Sequence, residues 1–314
     1  MNAERGPDGK APSPLRSMVR MMARGIQARG TAASPDFATP RRKVALERSN
    51  IAIDPRRVQA YARATAGDGI EAFGSARPAA PPFFAATWET ALSLEMFAGL
   101  ERPLPLGAFV HVSTDLVCAR PLLAGDVVKC RVELERVERV RRGLRLTVLA
   151  RNWLGAGQLC SQSTSVFQVR SDAHGLPAEA PRPAPPVPDV PESGWVELVR
   201  WDLPGGAGRR YARVSGDYNP IHLWGVTARP FGFRAPILHG YATAARAAHT
   251  LIEHCLHGDA AALRRMHIHF RAPLPLPSCV CFLVNDQGPR RWFRVAGPGE
   301  GPVYAEGSCG VADE

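Results

Sequence analysis

The stretch Arg210–Gly258 reads RYARVSGDYNPIHLWGVTARPFGFRAPILHGYATAARAAHTLIEHCLHG, and a weaker copy of it lies far upstream in the same chain. There AYARATAGD at Ala60–Asp68 answers RYARVSGD at Arg210–Asp217. A Pro-bounded loop follows each phrase, and then an apolar helix. In the upstream copy, PPFFAATWETALSLEMFAGL sets Phe84, Trp88, Ala91, Leu92 and Glu95 at helical spacing, with Gly99 as the stop. In the downstream copy, Tyr241, Ala244, Ala245, Ala248, Leu251, Ile252 and Cys255 form one stripe, with Gly258 as the stop. A helix so apolar or small on its inner stripe needs a sheet wrapped around it.

Beyond each helix the hydrophobic period changes to two. The first half gives FVHVSTDLVCARPLLAGDVVKCRVELERVERVRRGLRLTVLARNWLG and QLCSQSTSVFQV; the second gives MHIHFRAPLPLPSCVCFLV, RRWFRVAG and PVYAEGSCGV. One long helix followed by an antiparallel meander, twice over, predicts an α+β fold in which each sheet wraps its own helix. Pairing the two units edge to edge covers strands that either unit alone leaves open. Between them Ala173–Ser193 carries seven prolines in 21 residues, the composition of an extended spacer. The expected segments are a basic tail at 1–48, a first repeat at 49–172, a Pro-rich linker at 173–194 and a second repeat at 195–314.

The chain has 314 residues, with 45% hydrophobic and 22% charged, which excludes wholesale disorder, collagen and coiled coil. No apolar run reaches the ~18 residues of a membrane span and no signal-peptide pattern follows Met1, so a cytoplasmic protein is expected. Seven cysteines without a CxxC pair read as reduced thiols, not a disulfide frame or zinc site. Of the formal charge of +10, the first 48 residues supply +6, so the basic character belongs to the tail and gives no case for nucleic acid. That tail holds one amphipathic piece, LRSMVRMMARGIQARG, read as a helix lying on the domain or part of a loose tail. His267 and His269 on one strand, and His249, His254 and His257 on one helix, lack a completing ligand and are read as ordinary histidines. GxGxxG and P-loop fingerprints are absent, so no nucleotide cofactor is implied.

The residues with chemistry open the second repeat. Asp217 and His222 flank Asn219-Pro220, a pair that breaks helix and favours a tight turn able to bring both side chains to one point. A carboxylate and an imidazole sharing one water form a general acid/base pair that works near neutral pH. Pro236-Ile237-Leu238-His239-Gly240 then leads into the helix, whose unpaired N–H groups suit a developing enolate oxygen.

Tyr211–Gly240 resembles the signature of the MaoC-like dehydratases, also called (R)-specific enoyl-CoA hydratases or hydratase 2, whose pattern runs roughly Y-x-x-S-G-D-x-N-P-x-H, then G-F and P-I-L-H-G. The surrounding layout is similar to the double hotdog form of that family. The resemblance implies Asp217 and His222 as acid/base residues, Gly240 as the oxyanion donor, and Asn219, Phe233, His239 and Phe84 around the substrate. His239 is expected to act as a hydrogen-bonding residue, not as the acid or base. It also implies hydration of trans-2-enoyl thioesters to (3R)-3-hydroxyacyl thioesters, with no cofactor or metal, on a coenzyme A or acyl-carrier-protein handle. The protein is expected as a monomeric double hotdog or a homodimer. Departing from the commoner H-x-D-P, this chain has His222-Leu223-Trp224-Gly225. Asp68 is followed by Gly69-Ile70-Glu71, with no N-P-x-H, so the first repeat is expected to be catalytically silent and its region around Phe83, Phe84 and Trp88 free to lodge an acyl tail. An acyl-thioester hydrolase and a non-catalytic acyl-binding protein remain the alternatives on this fold.

Overall fold

The structure, a computed structural model, describes residues 44–100, 109–140, 143–155, 157–170, 190–286 and 290–310. The amphipathic piece of the tail and nearly all of the Pro-rich linker lie outside the described residues. In the first repeat, strand β1 (Val44–Ala52) and helix α1 (Pro55–Ala64) precede helix α2 (Ala86–Ala98). Strands β2 (Phe109–Cys118), β3 (Val127–Val140), β4 (Gly143–Leu154) and β5 (Gln158–Arg170) follow. The second repeat runs β6 (Val196–Leu203), α3 (Ala207–Ser215), α4 (Gly240–Cys255), β7 (Arg265–Phe270), β8 (Ser278–Asn285), β9 (Arg291–Ala296) and β10 (Val303–Gly310).

All ten strands form one sheet in the order β1-β3-β4-β5-β2-β7-β10-β9-β8-β6, every pair of neighbours antiparallel. Read inward from its two ends, the order is the same five-strand pattern twice. The repeats therefore join at β2 and β7, where Ser113 faces His269 and Val117 faces Arg265. This is the double hotdog arrangement, and the join removes two of the four strand edges that separate units would expose. On α2, Trp88, Ala91 and Leu92 of the expected stripe are buried together with Met96 and Phe97, which that stripe left out, while Glu95 is partly exposed; on α4, Ala244, Ala245, Ala248, Leu251 and Ile252 are buried as expected. Each such Leu or Phe contributes about 1.5–3 kcal/mol through burial. Among the described residues no helix is long and apolar enough to cross a membrane.

Two features differ from the sequence reading. Strand β1 begins at Val44, inside the stretch assigned to the tail at 1–48, and pairs with β3 from Val44↔Leu134 onward. Its opening residues follow directly on Arg41-Arg42-Lys43, and the apolar run Val44-Ala45-Leu46 is too short to stand out from that basic stretch. The two phrases that announced the repeat are the helices α1 and α3, which pack on one another. Asp54 caps α1 by accepting from Arg56 N at 2.8 Å, with Pro55 in the first turn where its missing N–H costs nothing. Tyr61 on α1 and Tyr211 on α3 sit at matching positions and meet edge to face, their ring centres 5.9 Å apart.

Candidate active site

Helix α3 ends at Gly216, whose φ of 76° turns the chain left-handed and starts the loop that carries Asp217. The loop is pinned locally. Ser215 Oγ accepts from Asp217 N at 3.2 Å, and Asp217 Oδ1 accepts from Asn219 N at 3.1 Å. Asn219 then caps a single 3-10 turn, Pro220–His222, accepting from Ile221 N at 3.4 Å. Arg209 Nη1 donates to Leu223 O at 2.8 Å, tying the loop back to α3. A Cβ at Gly208 would stand 2.1 Å from the His222 carbonyl oxygen, so only glycine lets α3 lie this close.

The turn places His222 beside His239, the residue that caps α4, with the two rings stacked at 3.8 Å. Asp217, His222 and His239 bring a carboxylate oxygen and ring nitrogens within 4.8 Å of one another, the one such cluster among the described residues. His222 is 8% exposed and His239 only 1%. His222 Nδ1 lies 2.8 Å from the Ile237 carbonyl oxygen, which can only accept, so Nδ1 carries the proton and Nε2 is left with a lone pair. Burial pushes the His222 imidazole below its ordinary range, opposed by the Asp217 charge and by the bond to Ile237. The ring is thus neutral near pH 7 and available as a base. His239 Nε2 donates to the Asp217 backbone oxygen at 3.0 Å, and burial drives its imidazole well below the ordinary range, with His222 acting in the same direction. His239 therefore holds the Asp217 loop by its backbone and stacks on His222 while lying almost wholly buried.

These three residues offer donors of the kind a metal ion takes, and one nitrogen of each imidazole is bonded to backbone, which leaves the other free to face a shared partner. The set suits a shared water. Gly240 is the first residue of the 16-residue helix α4, so its amide belongs to the unpaired N-terminal group. A Cβ there would meet His111 Nδ1 at 2.5 Å, another position that only glycine fills.

Other expected residues lie elsewhere. Phe233 is half-buried on the turn after the short segment Arg229–Phe231. Phe84 is buried edge-on between Tyr61 and Trp88, with Tyr61 and Tyr211 interposed between it and His239. The region expected to be loose is packed: Phe83, Phe84, Leu116, Cys118 and Leu263 line a cleft of only about 40 Å³. That volume holds a few waters. Sequence reading missed His111, because a histidine in FVHVS on a strand of the other repeat carries no local signal.

Residues 207–298 match the MaoC like domain, and residues 45–154 match the FAS1-like dehydratase domain region. The 3-hydroxyacyl-thioester dehydratase X of Mycobacterium tuberculosis is 32% identical over 207 residues, covering 66% of this chain and 68% of that one. The crystal structure of HtdX from the same organism superposes with a TM-score of 0.67 at 23% identity, over 84% of this chain and 98% of the other. A further M. tuberculosis protein, described as having a double hotdog fold, gives a TM-score of 0.55 at 12% identity over 85% and 96%. Both structural likenesses bear out the fold; the sequence relative, matched over two thirds of its length, fixes the lineage. The chain belongs to the MaoC-like dehydratase family.

Proposed function

We propose that this hydro-lyase adds water reversibly to trans-2-enoyl thioesters, giving (3R)-3-hydroxyacyl thioesters, with Asp217 and His222 as the acid/base pair. The observation that carries the reading is the neutral His222 with its proton fixed on Nδ1, beside the Asp217 carboxylate and the bare N-terminus at Gly240. A water held between Asp217 and His222 Nε2 attacks C3. As the C3–O bond forms, the water gives one proton to the pair and electron density moves onto the thioester oxygen. The Gly240 amide and the positive end of α4 stabilise that oxygen. The proton then passes from the pair to C2 on the same face, and the thioester is restored. The thioester itself acidifies C2, so the protein needs only to place a base and an oxyanion donor.

Coenzyme A or an acyl carrier protein is the handle, and a single chain supplies both repeats, so a monomer is a complete unit. The test follows loss of the enoyl-thioester absorbance with crotonyl-CoA and longer enoyl-CoAs. Hydration supports the reading; release of free thiol without hydration identifies a hydrolase instead.

A further inference from the structure

The first repeat has lost its own histidine, yet it sends one into the second repeat's site. His111 stands on β2, next to the β2–β7 join, and its ring lies against Gly240 closely enough to forbid a side chain there. Phe167, Tyr241 and Phe270 enclose the imidazole, with ring centres 4.8, 4.6 and 4.7 Å away. Its Nε2 is anchored 2.5 Å from Thr114 Oγ1, which is 2.9 Å from Ser165 Oγ, which is 2.8 Å from the hydroxyl of Tyr241. Tyr241 is the second residue of α4. One polar chain therefore starts at His111 and ends on the same helical turn that His111 touches directly. Thr114 and Ser165 are both buried, so each link is shielded from water. Burial pushes the imidazole down to about 3, hydrogen bonding to the Ser113 backbone and the Asp217 charge opposing and His222 assisting, so the ring is neutral and close enough to feel both members of the pair.

We propose that His111 is a positioning residue of the active site, supplied by the first repeat, which fixes Gly240 and the first turn of α4 where they meet the thioester carbonyl. This rests on the hydratase reading above. A ring packed on Gly240 and tethered through Thr114 and Ser165 to Tyr241 links both residues, so the first turn of α4 is held through two coupled contacts. The effect belongs to the transition state, where charge builds on the carbonyl oxygen, and not to binding of the acyl chain.

The experiment compares wild type, His111→Leu, His111→Gln, Thr114→Val and the double variant His111→Leu/Thr114→Val in enoyl-CoA hydration, with melting curves on each. His111→Leu is expected to lower kcat by about 10²-fold while leaving KM within a few-fold. His111→Gln, whose amide still reaches a polar partner, is expected to recover part of that loss. Thr114→Val moves kcat in the same direction, and the double variant is no worse than His111→Leu alone, because both act through one chain. An unchanged kcat in His111→Leu, with Asp217→Asn inactive, overturns this inference alone. Full activity in both overturns the reading of the site as well. A fall in kcat that only tracks loss of folded protein in the Leu and Gln variants overturns the positioning role in favour of packing.

Discussion

Asp68 and Asp217 begin alike, each following a helix with a buried tyrosine, and end differently. Asp217 is half-buried, and the Asn219-Pro220 cap curls the chain so that His222 returns beside it. Asp68 is exposed, and the chain after it runs through Ile70 into a short helical turn, Glu71–Gly74. The first repeat's loop meets a histidine supplied from outside it. His249 of α4 presses its ring on Gly67, where a Cβ would lie 2.4 Å from Nδ1, and that Nδ1 donates to Thr65 O at 3.1 Å. Each repeat thus completes the other: the second plugs the first's loop with His249, and the first supports the second's site with His111. Four residues after the shared aspartate decide which loop is a site and which is a latch.

The sharpest way to break this comparison is to swap charge for amide in both loops. Asp217→Asn or His222→Ala should each lower kcat by about 10²–10⁴, the two losses not adding because both groups act on one water. Asp68→Asn should leave kcat within about twofold, since it faces solvent away from the pair. Equal losses at both aspartates would show two working sites. The pH profile sharpens the same point. A base whose proton affinity is lowered by burial stays deprotonated as pH falls, so the acid limb of kcat/KM should lie below the ordinary histidine range and shift in Asp217→Asn.

Next in size, Gly240→Ala must displace His111, and kcat should fall at least about tenfold as the amide moves. Its first-repeat counterpart is a matter of stability. Gly67→Ala must displace the buried ring of His249, which should cost about 1–3 kcal/mol in the melting or denaturant transition while kcat per folded molecule stays unchanged.

The smallest effect concerns a buried carboxyl on the first repeat's helix. Glu89 accepts from Asn152 Nδ2 at 2.6 Å and from Ser163 Oγ at 2.9 Å, and burial raises its pKa, with those two bonds opposing. A carboxyl whose folded pKa is raised favours the native state below its unfolded pKa and loses that contribution as pH rises through the folded value. Melting temperature should therefore fall with pH across that window in wild type and less so in Glu89→Gln, which mimics the protonated acid. Parallel curves would contradict the assignment.

Much of this was legible in the sequence because it is written locally. Periods of 3.6 and 2 announced the long helices and most strands, and SGDxNPxH brought Asp217, Asn219 and His222 together within a few residues. What was not legible depends on contacts between repeats. His111 and Gly240 are far apart in the chain and meet only because β2 pairs with β7. Phe84 looked like a substrate wall because it stands near the start of α2, but a sequence cannot show that Tyr61 and Trp88 already fill its surroundings. Strand β1 follows directly on the basic run of the tail, and β6 stands between the Pro-rich stretch and the repeat phrase, ahead of the helix after which the period-two pattern was read.

The central claim is that one loop, on one face of a thioester, does the chemistry. The direct measurement is chiral analysis of the product from crotonyl-CoA with wild type, Asp217→Asn and Asp68→Asn. Wild type and Asp68→Asn are expected to give the (3R) alcohol, and Asp217→Asn almost none. Mainly (3S) product, or full activity in Asp217→Asn, would contradict it.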